Sequence, residues 1–125
     1  MASNEPRPLR QAPSIDAWGG GGFRVAGLWR PGSLLILDDV AQDWPVHSLS
    51  ALTLDDFAPV FAAGPAVEFV LLGTGLAQAL PPRDIREGLR ARGLGLEFMS
   101  SEAAARSYNV LASEGRRMAA ALIAV

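Results

Sequence analysis

The sequence predicts an α/β fold, a single three-layer domain with a mixed sheet, an N-terminal β-hairpin region and a parallel α/β core. The first observation behind this prediction is segment 67–72, which is apolar apart from Glu68 and is typical of a strand buried on both faces. The second is the order of the later segments: a helical pattern from Pro82, an apolar segment at 94–99 and another helical pattern from Glu102. Strands and helices that alternate in this way favour a parallel sheet.

The start of the chain differs in composition from the rest. Residues 1–14 contain several prolines and few large apolar residues, so we expect a mobile tail there. Residues 15–125 are predicted to form one domain. In a chain of 125 residues, 50% of them hydrophobic, such a domain can bury a core without disulfides.

A β-hairpin is predicted next. Apolar and polar residues alternate over 23–27, and an apolar segment follows at 33–37. Pro31 and Gly32 lie between these segments and are typical of a turn. We therefore expect the two segments to pair antiparallel through a turn at residues 30–32.

The later helices and the last segment have recognisable ends. Thr53 is predicted to cap a short helix, and either Ser100 or Ser101 to cap a longer one over residues 102–113. Residues 116–125 form either another helix or a closing strand. Because the segment is short and apolar on both sides, a buried strand is favoured.

The composition excludes several kinds of chemistry. The chain has no cysteine, which removes disulfides, thiol catalysis and cysteine-bound metals. All 11 basic residues are arginine, so neither Schiff-base catalysis nor a P-loop lysine is available. A net charge of −2 argues against a nucleic-acid partner. No apolar run reaches the roughly 20 residues of a membrane span, and we expect a cytoplasmic protein.

Polar residues in the first half suggest no catalytic or metal site. Asp38, Asp39 and Asp43 lie close together, upstream of His47, the only histidine. Their spacing lacks the regular alternation and closing glutamate of a calcium loop, which favours solvated turn residues over a metal site. No carboxylate is placed beside His47 by the sequence. We therefore predict no catalytic residue and no metal ligand.

The turn Gly73, Thr74 and Gly75 comes directly after the buried strand and is the first place to expect a ligand or partner. Ligands of open α/β sheets lie beyond the carboxyl ends of the strands. These glycines also begin a dinucleotide-binding fingerprint, but Gln78 stands where its last glycine is needed. Glu97 lies downstream at the distance of a ribose-binding acid, yet it falls inside a predicted strand. We therefore expect no bound cofactor.

The predicted helix over 102–113 supplies further candidate binding residues. If Tyr108 and Leu111 face the sheet, Arg106 and Asn109 face the other side, where they could form a polar surface bordering the glycine turn. The alternative is structural: the asparagine bonds backbone groups of a nearby loop, and the arginines pair with neighbouring acids. The candidate partner-binding or ligand-binding residues are Gly73, Thr74, Gly75, Ser101, Arg106, Asn109 and Arg116.

Several motifs carry a resemblance to a known family. They are Gly73-Thr-Gly75, Leu80-Pro-Pro82, the segment 94–99, Arg106-Ser-Tyr-Asn-Val-Leu111 and Glu114-Gly-Arg116. From about Ile15 onward the chain resembles the Mth938-like, or DUF498, family. This family includes the mitochondrial complex I assembly factor three and many uncharacterised bacterial and archaeal proteins. The resemblance implies a single three-layer α/β domain and supplies no reaction.

Two positions depart from the family pattern. Ser101 stands where threonine is usual and keeps a hydroxyl at the helix start. Ala105 stands where cysteine is common, so a redox role at that position is not expected in this chain.

Together these observations predict a non-catalytic protein-binding or assembly module. The resemblance implies a protein partner, with subunits or assembly proteins of a respiratory complex as candidates. The alternative is a small-molecule-binding protein or an enzyme with a pocket at the strand ends around Gly73 and Gly75. A deep pocket there, with a carboxylate or Arg106 inside it, would favour the alternative.

Overall fold

The computed structural model describes residues 12–125, which contain two sheets and three α-helices. The smaller sheet consists of β1 (Ile15–Gly19), β2 (Gly22–Val25) and β3 (Leu28–Pro31), in that order. The larger sheet consists of β4 (Ser33–Leu37), β5 (Val40–Trp44), β6 (Phe69–Gly73), β7 (Gly95–Met99) and β8 (Met118–Leu122), in the order β5-β4-β8-β6-β7. The helices are α1 (Ala58–Ala63), α2 (Arg83–Ala91) and α3 (Ser101–Ser113). The predicted tail lies outside the described residues except for its last three positions.

The larger sheet is mixed, which confirms the predicted fold class. Strand β6 runs parallel to both β7 and β8, while β4 runs antiparallel to β5 and β8. The predicted strand at 94–99 is therefore present and parallel to the strand before it. Every residue of β6 is buried, as expected for a strand covered on both faces.

Two cores lie on opposite faces of this sheet. On one face Val70 and Leu72 pack with Val60 of α1 and Leu89 of α2. On the other face the neighbouring side chains of β6 pack with α3 and the smaller sheet; this second core includes Phe69, Leu71, Tyr108, Ala104 and Phe23. Alternate residues of a strand point to opposite faces, so one apolar strand serves both cores. The chain thus has the predicted three layers.

The predicted hairpin between segments 23–27 and 33–37 is wrong. Strand β2 pairs with β3, and the two-residue turn between them is Ala26 and Gly27, with φ angles of 49° and 82°. Strand β4 pairs instead with β5 and β8 in the larger sheet. Its first four residues are buried, as expected for a strand in a sheet interior, and Gly32 alone connects β3 of the smaller sheet to β4 of the larger one.

The middle of the larger sheet is β8, between β4 and β6. Strand β6 is second from the edge and is nevertheless buried on both faces. The predicted closing strand is confirmed, and all five of its residues are buried. Three consecutive alanines, at 119–121, have small side chains, so the layers on both faces of the sheet can pack close to this strand.

Local hydrogen bonds set the helix starts. The Thr53 backbone N–H donates to Asp56 Oδ2 at 2.8 Å, at the start of a 3-10 helix, Leu54–Phe57, that leads into α1. Ser100 is the cap of α3, since its Oγ accepts from the Ala103 N–H at 3.2 Å. Across residues 12–125, every helix is too short or too polar to cross a bilayer.

Candidate functional site

The turn at Gly73, Thr74 and Gly75 joins three elements through Ser101. This serine is fully buried, and its Oγ accepts from the Gly75 N–H at 3.0 Å and donates to the Ile123 carbonyl at 2.6 Å. Its own N–H donates to the Gly75 carbonyl at 2.8 Å, and the Ile123 N–H donates to the Gly73 carbonyl at 3.0 Å. The ends of β6 and β8 are thereby bonded to the first residue of α3.

The two glycines of the turn permit this close approach. A Cβ on Gly73 would lie 2.9 Å from both Cα and Oγ of Ser101, closer than van der Waals contact allows. Gly75 has φ of 112°, a conformation that other residues rarely adopt. Both glycines are therefore required by the fold itself, whatever the turn binds.

The N–H and the hydroxyl group of Thr74 are both engaged within the chain. Its N–H donates to the Met99 carbonyl at 2.8 Å. Its Oγ1 accepts from the Ala79 N–H at 3.2 Å, and the single hydroxyl hydrogen is shared between the carbonyls of Ala77 at 2.7 Å and Met99 at 3.0 Å. Only 7% of Thr74 is exposed. The residue holds the loop beyond the turn, and neither its N–H nor its hydroxyl is left for a ligand.

That loop projects two large apolar side chains from the surface. Leu76 is 89% exposed and Leu80 is 62% exposed. Beneath the first of them is a cleft of about 300 Å³, lined by Trp18, Gly19, Gly20, Gly75, Leu76, Glu102 and Val125. Gly73, Gly75 and Ser101 pack directly against one another, so they do not line the deep pocket that would have favoured the small-molecule or enzyme alternative.

Beside the cleft, a tryptophan and two charged residues form a cluster. Trp18 Nε1 donates to Glu102 Oε1 at 3.2 Å, and Arg106 Nη1 lies 3.3 Å from Glu102 Oε2. The guanidinium of Arg106 lies 5.3 Å from the Trp18 ring centroid. Trp18 was not predicted, since it meets Glu102 across 84 positions of sequence and no local pattern records that contact.

Asn109 contacts backbone rather than solvent or a ligand. Its Oδ1 accepts from the Ile15 N–H and its Nδ2 donates to the Ile15 carbonyl, both at 2.9 Å. These bonds attach α3 to β1 and match the structural alternative stated for this residue. Arg106 and Asn109 thus lie along the same strand, β1.

Arg116 lies at the other end of the sheet. Its guanidinium is 5.0 Å from the ring centroid of Phe69, the first residue of β6, whereas the glycine turn begins at the last residue of β6. Because β6 and β8 are parallel, residues before Met118 lie at the amino ends of the strands. The structure therefore does not bring Arg116 beside the turn, and the expected shared border is absent.

The aspartates of the first half have structural surroundings. Asp38 and Asp39 form the turn between β4 and β5, with φ angles of 51° and 64°, and Asp43 lies 3.2 Å from Arg30. Hydrogen bonds from the Ser14 hydroxyl and the Gly27 N–H lower the pKa of Asp16 below its usual value. Among the described residues, no three histidine, aspartate or glutamate side chains are grouped to hold a metal ion.

Comparison with known sequences finds relatives that match nearly all of this chain. An uncharacterised protein of Rhodobacter capsulatus is 41% identical over 123 residues, with 98% of this chain and 93% of that protein covered. The human NADH dehydrogenase [ubiquinone] 1 alpha subcomplex assembly factor 3 is 31% identical over 117 residues, covering 94% of this chain. This chain spans 64% of the human protein's length.

A solved structure carries the same fold. The solution structure of a Bordetella pertussis protein, described as a Mth938-like domain, superposes with a TM-score of 0.74 at 26% identity, covering 97% of this chain and 91% of that one. The model of the family described as "Protein of unknown function (DUF498/DUF598)" matches residues 15–123. The predicted resemblance is thus confirmed, and the chain belongs to the DUF498, Mth938-like family that includes the mitochondrial complex I assembly factor 3.

Proposed function

We propose that this chain is a non-catalytic protein-binding module that assists the assembly of a larger complex in the cytoplasm. The observation that carries the proposal is the contrast at the strand ends. The N–H groups of Thr74, Gly75 and Ser101 and the hydroxyls of Thr74 and Ser101 bond within the chain, while the loop beyond them exposes Leu76 and Leu80. Reaction with a small substrate needs free polar groups in a pocket, whereas protein partners bind exposed apolar side chains.

The relatives support an assembly role and suggest the class of partner. The human relative is named as an assembly factor of NADH dehydrogenase, and this chain spans 64% of its length. We propose a subunit or an assembly protein of a respiratory complex as the partner. The proposed contact surface is Leu76, Leu80 and the neighbouring Arg106, whose side chain is 67% exposed. Held against Trp18 and Glu102, that arginine could pair with a partner carboxylate.

Complementation of a deletion strain tests this proposal. The gene is deleted in the cell that makes the protein, and assembled complex I is measured by native gel electrophoresis and by membrane NADH oxidation. We expect loss of assembled complex, restoration by the wild-type protein, and poor restoration by the double variant Leu76→Ser, Leu80→Ser and by Arg106→Ala. The matched control is Leu28→Ser, which removes a leucine that is 71% exposed on the remote strand β3. Normal complex I in the deletion strain would contradict the proposed function.

The cleft beside the turn supports a second candidate function. Trp18 supplies an aromatic wall and Glu102 a carboxylate, a combination that suits a small amine with an apolar body. Thermal denaturation with a panel of such amines tests this candidate. Stabilisation that is lost in Glu102→Gln would support it, and unchanged melting temperatures throughout the panel would contradict it.

A further inference from the structure

Strand β7 is one edge of the larger sheet and directs part of its backbone outward. It pairs with β6 alone. The Gly95 N–H donates to the Glu68 carbonyl, and the Met99 carbonyl accepts from the Thr74 N–H. Alternate residues of a strand direct their N–H and C=O groups to opposite sides, so residues 95, 97 and 99 bond inward to β6. Leu96 and Phe98 therefore direct their backbone groups away from the sheet.

These outward groups are almost entirely available. The Phe98 carbonyl accepts a long bond of 3.4 Å from Nε2 of the exposed Gln78. Within residues 12–125, the Leu96 N–H, the Leu96 carbonyl and the Phe98 N–H have no hydrogen-bond partner. A row of alternating donors and acceptors of this kind is satisfied by an extended backbone, and an edge strand that is left open accepts one readily.

On the edge strand β1 of the smaller sheet, a side chain takes up backbone groups: Asn109 bonds both the N–H and the C=O of Ile15. Within the part of the chain that the structure describes, no side chain does so at Leu96 of β7. The side chains on its two faces are those that an added strand would meet: Leu96 and Phe98 are half-buried on the α2 face, and Glu97 lies on the α3 face.

The α3 face beside β7 contains an apolar groove with one unpaired acid. A cavity of about 390 Å³ is lined by Glu97, Met99, Arg106, Ser107, Val110 and Leu111. Val110 is 57% exposed. Arg106 already pairs with Glu102, and in the described part of the chain Glu97 makes neither an ion pair nor a hydrogen bond. Among residues 12–125, the groove therefore has an exposed carboxylate without a protein partner at the middle of the open edge.

The same charge disfavours a second copy of this chain as the occupant. If the β7 strands of two copies paired antiparallel through all their outward backbone groups, Leu96 of each copy would lie opposite Phe98 of the other. That register is symmetric about Glu97 and places the two Glu97 side chains directly opposite each other. Like charges at such close positions are destabilising, whereas a lysine or arginine there would pair with Glu97.

We propose that β7 binds an extended segment of a partner protein by strand addition, and that this segment carries a basic residue opposite Glu97 and apolar residues beside it. This inference rests on the proposed protein-binding function and names a second contact surface for it. Backbone bonds to Leu96 and Phe98 supply the affinity, while Glu97 and the groove at Val110 supply the preference for sequence.

Two synthetic peptides test the proposal by nuclear magnetic resonance. Both are acetylated hexapeptides of alternating threonine and valine; one carries lysine and the other glutamate at a central position. Each is titrated into the ¹⁵N-labelled full chain to about 1 mM, the range in which weak strand addition is measurable. We expect the Leu96 and Phe98 amide signals to shift, and the lysine peptide to bind about threefold more tightly than the glutamate peptide.

Three variants identify the cause of binding. Leu96→Pro removes an outward N–H and leaves the bonds to β6 in place, so the fold is kept and binding of both peptides is expected to be lost. Leu96→Val, which keeps the amide, is the matched control. Glu97→Lys is expected to reverse the preference between the peptides, and it tests the proposal even if the proline variant does not fold.

Three results in solution and one in the cell would overturn the proposal. The first is unshifted Leu96 and Phe98 amides with both peptides, and the second is peptide binding that a folded Leu96→Pro variant retains. The third is a concentration-dependent dimer of the wild type that Leu96→Pro abolishes, since a second copy would then be the occupant.

If folded Leu96→Pro fully restores complex I in the deletion strain, this edge is not the contact surface and the proposed assembly function stands. Normal complex I without the gene would instead remove the assembly function.

Discussion

Ser101 is a residue whose position in the sequence suggests one role and whose contacts give it another. As one of two adjacent serines before a helix it is a candidate cap, but Ser100 fills that role. Ser101 instead bonds the Gly75 N–H and the Ile123 carbonyl in a site with no exposure. The family's threonine at this position would keep the same hydroxyl. Ser101 therefore connects the ends of β6 and β8 to α3.

Replacement of Ser101 by alanine is expected to destabilise the protein by about 1–3 kcal/mol. The substitution leaves a buried backbone donor and a buried acceptor without their partner, and each such loss is costly. Urea denaturation, followed by circular dichroism, measures the free energy of unfolding. Ser100→Ala is the comparison, with an expected cost of about 1 kcal/mol from the lost cap. A Ser101→Ala variant as stable as the wild type would show that the turn is held by other contacts.

Strand β6 shows which properties of an element are local. The buried character of 67–72 and its pairing with 94–99 result from apolar continuity and from the helix between them, and both were predicted. Only the first residues differ, because β6 begins at Phe69 while Glu68 is exposed. The pairing of β2 with β3 was not predicted. Pro31 and Gly32 are more typical of a turn than Ala26 and Gly27, so the hairpin turn was predicted at residues 30–32.

Val70→Asp is expected to unfold the protein, with a loss of more than about 4 kcal/mol. Val70 has no exposure, and an unpaired carboxylate in the core would have to be desolvated or protonated. Arg90→Ala, on the exposed face of α2, is the control and should change stability by less than about 0.5 kcal/mol. Thermal melts compare the two variants. Equal melting temperatures would disprove the assignment of β6 to the core.

Asn109 joins helix α3 to the backbone of strand β1, beside the separate contact between Trp18 and Glu102. Asn109→Ala should cost about 1–3 kcal/mol and should raise the hydrogen-exchange rate of the Ile15 amide, which loses its acceptor. Ser113→Ala is the control on the same helix, since Ser113 is exposed and bonds only within its own last turn. Unchanged exchange at Ile15 in a destabilised Asn109→Ala variant would place the effect elsewhere in α3.

The whole molecule depends on contacts that sequence patterns do not record. Apolar periodicity predicted the helices, the α/β class and the segments of β2, β4, β6, β7 and β8, but it missed β1, β3 and β5. It could not give the order of strands in the larger sheet, since the pairing of Leu34 with Leu122 is a property of the folded chain. The candidate site was predicted in part for the same reason. The glycine turn and Ser101 are in contact. Arg116 lies at the opposite end of the strands, and the contact between Trp18 and Arg106 was not predicted.

The purified protein is predicted to bind no nucleotide. The helix after the glycine turn begins only at Arg83, and the turn's own N–H groups bond within the chain, so a phosphate has no cradle of free amides there. Calorimetric titration with nicotinamide and flavin nucleotides measures this directly. Saturable binding that weakens in Gly75→Val would contradict both this prediction and the assembly function.

The position of β8 also bears on how the protein is made. All other strands precede β8 in the chain, yet β4 and β6 meet only through it. During synthesis the larger sheet therefore stays divided into a β4–β5 hairpin and a β6–β7 pair until residues 118–122 have left the ribosome. Sheet closure then pairs residues that lie far apart in sequence, which is slow compared with local folding. Until that moment the nascent chain exposes the unpaired edges of β4 and β6, and a chaperone that protects such edges would act on it at this stage.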